Sequence, residues 1–211
     1  MGIEFSDTRE KMSDTLNRTI SSIDGRTVTL RQLMGAMGEQ GLLMLCALLT
    51  LPFLIPVSIP GVSTVFGAAI ILISLAVMLN RMPWLPARVS DRQIETEKLI
   101  PTLKKGADMV SRLDRYVRPR FGMFTESGFM NRINGAGILY GGILLMFPLG
   151  LIPFSNTLPG IAILLLAVGM LQRDGVMVLA GYFFLVATTV YFAALAYAAY
   201  SAGQGLSGFF V

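Results

Sequence analysis

Apolar and polar positions are segregated into blocks along this chain. Between Leu33 and Asn80 the only charged side chain is Glu39, and between Ile133 and Val211 the only ones are Arg173 and Asp174. Apolar stretches of that length predict membrane helices, because a fold surrounded by water must keep a polar face on each element. Ahead of the first block, Met12, Leu16, Ile20 and Ile23 recur at the spacing of a short amphipathic helix over residues 7–23. Asp24-Gly25 signals a turn. Thr27 or Thr29 is placed to cap a helix that runs through Leu30, Leu33 and Met37 into an apolar stretch reaching Ile55. A second stretch covers Gly61 to Leu79. After a polar insert, further stretches run from Gly135 to Ile152, Pro159 to Leu171 and Val176 to Ala202.

Two proline-broken segments interrupt these blocks: LPFLIPVSIPG at 51–61 and FPLGLIPFSNTLPG at 147–160. Their surroundings match in pieces. Gly41 precedes Pro52 as Gly137 precedes Pro148, Leu54-Ile55-Pro56 answers to Leu151-Ile152-Pro153, and Met78-Leu79-Asn80-Arg81 answers to Met170-Leu171-Gln172-Arg173. Corresponding proline-interrupted segments in two halves point to a binding site in a transporter-like fold. Proline removes a backbone donor, and bare backbone cannot face lipid, so such a break lies inside protein or lines a cavity. The stretch from Pro159 to Leu171 is 13 residues long, about 20 Å of helix against a hydrocarbon core of about 30 Å. Each hairpin therefore either folds back within the bilayer or joins two full spans through an ordinary turn.

The organisation expected is all-α. A polytopic membrane helix bundle contains two proline-broken hairpins forming an internal repeat, with amphipathic helices on the surface. The divisions are an N-terminal amphipathic region (1–31), a first membrane hairpin (32–80), a basic insert (81–132), a second hairpin (133–175) and a C-terminal transmembrane helix and tail (176–211).

Charge refines the picture. The insert carries eleven basic and six acidic residues, and an excess of Lys and Arg in a loop of this length marks the cytoplasmic side. Within it Leu103, Ala107, Val110, Leu113 and Val117 follow helical spacing, as in a helix lying on the membrane surface. Membrane topology accounts for the charge without nucleic acid. The first 31 residues balance five basic against five acidic groups with no apolar centre, so insertion through internal segments is expected. The chain has no histidine, which removes imidazole relays and most zinc hydrolase sites; no metal or other cofactor is expected. Cys46, the only cysteine, sits among leucines and reads as a small inert hydrophobe.

The candidate site follows from the breaks. Ser58, Ser63, Asn156 and Thr157 stand at or beside helix starts and are the candidate solute-binding groups, with helix N-termini offering partial positive charge. Glu39, Arg173 and Asp174 are the candidate coupling or gating charges, since ionisable groups in a membrane are costly. The plainer readings are an interfacial Glu39 and an ordinary turn at Asp174-Gly175. Gly135, Gly137 and Gly141, with Ala193, Ala194 and Ala198, make faces that permit close packing within one chain or between copies, a dimer being favoured.

LPFLIPVSIPGVSTVFG (51–67), Pro83-Trp84-Leu85-Pro86, Arg118-Pro119-Arg120, Pro153-Phe154-Ser155-Asn156-Thr157-Leu158-Pro159 and Arg173-Asp174-Gly175 together resemble the ExoD family of bacterial inner-membrane proteins. The resemblance covers about Leu30 to Gly181 and implies a role in exopolysaccharide production, without bringing catalytic residues. Pro60-Gly61-Val62-Ser63-Thr64 also partly resembles a loop of undecaprenyl-pyrophosphate phosphatases, but Thr64 stands where that loop needs arginine, and the acidic cluster is reduced to Glu39. The expected function is a transporter-like inner-membrane protein. The alternatives are a non-transporting accessory of the polysaccharide machinery and a lipid-phosphate hydrolase.

Overall fold

The computed structural model describes residues 27–54, 62–79, 93–96, 121–125, 127–147, 149 and 152–207. The expected amphipathic helices at 7–23 and 103–117 lie outside these residues, as does Ser58.

Apolar sequence makes helix wherever no proline intervenes. Among the described residues there are five helices: α1 (Leu30–Thr50), α2 (Val62–Leu79), α3 (Gly128–Leu145), α4 (Thr157–Gln172) and α5 (Gly175–Ser207). The first break leaves α1 at Thr50, and Pro52 sits in a single 3-10 turn, Leu51–Leu54. Helix α3 starts ahead of the apolar stretch, at Gly128, because the Ser127 hydroxyl accepts from the Met130 N–H at 3.0 Å and caps it. Helix α4 begins at Thr157, so Pro159 falls in the first turn, where its missing N–H costs no helical bond.

Two features depart from the expectations. Thr27–Thr29 is a strand that pairs antiparallel with Gln93–Glu95, Val28 opposite Ile94. β-Branched residues favour extended backbone, so these threonines precede α1 as a ribbon. Helix α1 is also kinked at Gly38, whose φ of 57° and ψ of −143° lie where side chains clash. Glu39 therefore opens a second helical half.

Glycines fix how the helices cross. A Cβ on Gly160, at the start of α4, would lie 3.2 Å from the Phe53 Cβ and 3.8 Å from the Thr50 carbonyl oxygen, just past and at the end of α1. One on Gly67, at the start of α2, would lie 3.1 Å from the Gly142 carbonyl oxygen and 2.6 Å from Met146 Cγ, at the end of α3. Gly135 opens α3 against Met78 near the end of α2, while Gly141 and Gly137 meet Ile163 and Leu166 of α4. Consecutive helices thus run antiparallel, as do α1 and α4, while α3 and α5, joined by Asn134–Tyr182 and Tyr140–Thr189, run parallel. Both hairpin tips share one end of the bundle, and the starts of α3 and α5 share the other. The α3 glycines expected to form a packing face are used within the chain. Ala193, Ala194 and Ala198 of α5 remain exposed.

The core between the helices holds Leu42, Cys46, Ile70, Ile138, Ile163 and Leu166, all essentially inaccessible. The outside is equally apolar: Leu48, Val65, Leu72, Phe183, Val186 and Val190 are exposed. Gly175–Ala202 within α5 is long and apolar enough to cross a membrane, and Gly38–Leu54, Ser63–Leu79 and Thr157–Gln172 are shorter apolar helices. Helix α5 outruns its neighbours. Phe192 meets Phe147 beside the second tip, and nearly all the residues from Ala193 to Ala202 are exposed.

The tightest approach to backbone is at Gly169, where a Cβ would stand 2.8 Å from the Val178 backbone nitrogen and 3.1 Å from the Asp174 carbonyl oxygen. Gly169→Ala is expected to destabilise the protein in detergent by about 1–3 kcal/mol. Gly128→Ala, with nothing within 4 Å, leaves the thermal midpoint nearly unchanged.

Candidate functional site

Because the hairpin tips lie at one end, the six candidate residues that are described divide between two places. Ser63, Asn156 and Thr157 lie at the tips. Glu39 lies eleven residues back along α1 from Thr50, about 16 Å away, and Arg173 and Asp174 join α4 to α5 at that same far end. Among the described residues the binding groups and the charges do not lie together.

At the tips, polar side chains turn inward. Thr50, Ser155 and Asn156 are buried, and Ser63 and Thr157 are each 9% exposed. The Thr50 hydroxyl donates to the Ala47 carbonyl at 2.7 Å, and the Ser155 hydroxyl to the Leu149 carbonyl at 2.9 Å. Tyr191 of α5 reaches across to donate to the Pro153 carbonyl at 2.8 Å. These bonds answer the problem the prolines create, since a carbonyl without a helical partner needs a donor when water is absent. Asn156 stands at the N-cap of α4, but its side chain makes no capping bond. Phe154, with φ of 62°, turns the chain into the helix, and Phe53 packs over Gly160 where the two tips meet.

At the opposite end, Asp174 is a helix cap. Its Oδ1 accepts from the N–H groups of Val176 at 2.9 Å and Met177 at 3.4 Å. Arg173 takes the left-handed conformation that ends α4, with the Asp174 N–H bonded to the Gly169 carbonyl at 2.8 Å and the Arg173 N–H to that of Met170 at 3.3 Å. Arg173 and Asp174, expected as gating charges, thus form the turn between α4 and α5.

Glu39 accepts a hydrogen bond from the Asn131 side chain of α3. One turn on, Asn134 is fully buried: its amide donates to the Phe124 carbonyl at 2.8 Å, and its Oδ1 accepts from the Tyr182 hydroxyl of α5 at 2.9 Å. These contacts tie α1, α3, α5 and the turn Gly122–Phe124 together at the end that bears the charges. Sequence reading overlooked Asn131, Asn134 and Tyr182. The legible signal was the pair of asparagines three apart, on one helical face at the head of an apolar run. Chemically, this end holds the Glu39 carboxylate beside the Asn131 amide, with the Asp174 carboxylate capping α5. Among the described residues no group of three His, Cys, Asp or Glu side chains is placed to hold a metal ion.

The family model described as "Exopolysaccharide synthesis, ExoD" matches residues 12–194. Protein ExoD of Rhizobium meliloti (strain 1021) is 72% identical over 211 residues, all of this chain and 88% of that protein. A protein of Synechocystis sp. described as uncharacterized is 31% identical over 180 residues, 85% of this chain and 84% of that protein. No solved structure matches the chain.

Tyr182→Phe leaves the buried Asn134 Oδ1 without its donor and is expected to cost about 1–3 kcal/mol. Asn134→Ala costs more, because it also strands the Phe124 carbonyl and the Tyr182 hydroxyl. Thermal unfolding of both variants in detergent checks the order.

Proposed function

The chain belongs to the ExoD family, named for exopolysaccharide synthesis, and from that membership we propose that it is a multi-pass protein of the bacterial inner membrane. It serves polysaccharide production as an accessory, with its basic insert in the cytoplasm, and does not itself carry a solute. The membrane assignment is supported by the large apolar side chains exposed on α1, α2, α3 and α5, which water would penalise and lipid would not. It is supported also by the charge distribution: Glu39 and Arg173-Asp174 fall toward the end away from the tips, while the two proline-broken segments and the chain after Asp174 carry no charge. That asymmetry matches a positively charged cytoplasmic side.

One observation supports the accessory reading over transport: two of the charges expected to gate a passage, Glu39 and Asp174, and a hydroxyl beside the expected binding groups, are spent on the fold. Ser155 bonds Leu149, Asp174 caps α5, Phe53 closes over Gly160, and Glu39 is held by Asn131 at the far end from the tips. The basic insert is left as the surface able to engage a partner, whether the polysaccharide machinery or its acidic segments.

The internal repeat is part of the proposal. The first helix of each hairpin packs on the second helix of the other, α1 on α4 and α3 on α2. Gly67 meets Met146 much as Gly160 meets Thr50, and Thr50 and Met146 are 96 positions apart, the offset between Gly41 and Gly137. The two tips point the same way, so the repeat is parallel. Transport retains one supporting observation, the burial of three consecutive polar residues, Ser155, Asn156 and Thr157.

The readings separate in cells that depend on the protein for exopolysaccharide. Exchanging Lys104, Lys105, Arg112 and Arg115 for glutamate is expected to abolish the yield with the protein still inserted at its normal level. Asn156→Ala and Glu39→Gln are expected to keep most of it. The reverse pattern, joined by ion or solute flux in proteoliposomes that those two variants lose, would establish transport instead.

A further inference from the structure

The tip end of the bundle has an outer surface that differs from its interior. Its polar side chains face inward: Thr50, Ser63, Ser155, Asn156 and Thr157 are buried. The exposed described residues there are Leu51, Pro52, Val65, Phe147, Pro153 and Phe154, with Thr64 the single hydroxyl among them. This surface carries no charge and runs without interruption into the apolar flanks of α2 and α3, where Leu72 and Ile143 are exposed.

The helices that meet the tips are also short. Helix α4 has 16 residues and α2 and α3 have 18 each, so they rise about 24–27 Å, less than the hydrocarbon core of about 30 Å, and the 21-residue α1 is broken at Gly38. Helix α5 marks the difference. Tyr191 and Phe192 stand level with the second tip through the Pro153 and Phe147 contacts. Tyr197 and Tyr200 follow, 74% and 65% exposed, about 8–13 Å further along the helix. Tyrosines in that position mark the headgroup level. A bilayer meeting this step either thins until headgroups reach the tips or keeps its thickness and closes acyl chains over them. Thinning would set headgroups and water against Phe147, Phe154 and Leu51, with no charge to bind them. Closure sets hydrocarbon against hydrocarbon.

We propose that the hairpin tips form a lipid-capped surface. Acyl chains of the far leaflet lie over Leu51, Phe147 and Phe154, and α5, alone among the described helices, crosses that leaflet to reach the far headgroups. The inference rests on the multi-pass reading above and assigns the partner of the tips. It also supplies a physical reason for the absence of transport: a plug roofed by acyl chains offers no water path from the far side to the hydroxyls inside it.

The test places single tryptophans at Leu72, Phe154 and Tyr200 of the full chain, with Trp84→Phe removing the native indole. All three positions are exposed, so the core is untouched. The variants are reconstituted in phosphatidylcholine–phosphatidylglycerol vesicles containing lipids brominated near the glycerol or near the methyl end of the acyl chains. Leu72→Trp is expected to be quenched by bromine, and Phe154→Trp to show a higher ratio of deep to shallow quenching than Tyr200→Trp. Equal, shallow quenching at 154 and 200 would mean that headgroups reach the tips and would overturn the proposal. So would quenching at 72 with none at 154, which would mean that protein rather than lipid covers the tips. Absence of quenching at Leu72→Trp as well would instead sink the multi-pass reading beneath it.

Discussion

Two helices can approach closely only where at least one of them carries no side chain at the contact, and that constraint sets the register of this bundle. Gly169 and Gly181 let α4 lie against α5, Gly137 and Gly141 admit Leu166 and Ile163 to the surface of α3, and Gly67 and Gly142 bring α2 onto α3. In lipid there is little hydrophobic gain from bringing apolar helices together, so close van der Waals packing at small residues carries the association. Once those contacts are fixed, the antiparallel order follows. So does the placing of both proline breaks at one end and every described charge toward the other.

That separation governs what the polar groups can do. The breaks expose carbonyls, and the fold answers locally: Ser155 donates to Leu149 and Tyr191 to Pro153. A hydroxyl committed to such a bond is poorly placed to exchange hydration with a moving solute. At the other end, Glu39, Asn131, Asn134 and Tyr182 knit the helices to the turn at Gly122–Phe124, where the basic insert rejoins the bundle. A partner that engages the insert would be coupled mechanically to α3 and α5 through Asn134.

Much of the helical plan was legible in the sequence because long apolar runs leave little choice. The ends of α2 and α4 fell within two residues of the expected ones, as proline and the polar insert dictate. The candidate site was less legible, and for a physical reason: hydroxyls and amides near a helix start look alike whether they face a ligand or a neighbouring carbonyl. Asn156 and Thr157 were noticed for their place before Pro159, yet only the crossing of Gly160 over Phe53 shows that they are enclosed. Asp174 was weighed as a gate, while its position one residue before α5 makes it a cap. The Asn134–Tyr182 bond joins residues 48 positions apart, a pairing that no local period encodes. The ribbon of Thr27–Thr29 and Gln93–Glu95 is likewise set by two distant segments.

The central claim is one-sidedness: water meets this chain at its basic end and not at its hairpin tips. Membrane-impermeant maleimide, applied to spheroplasts and to inverted membrane vesicles, tests it most directly on single cysteines at Lys105, Phe154 and Gln204 in a Cys46→Ser background. The account predicts labelling at 105 only in inverted vesicles, at 204 only in spheroplasts, and at 154 in neither until detergent is added. Ready labelling at 154 from the spheroplast side would contradict it.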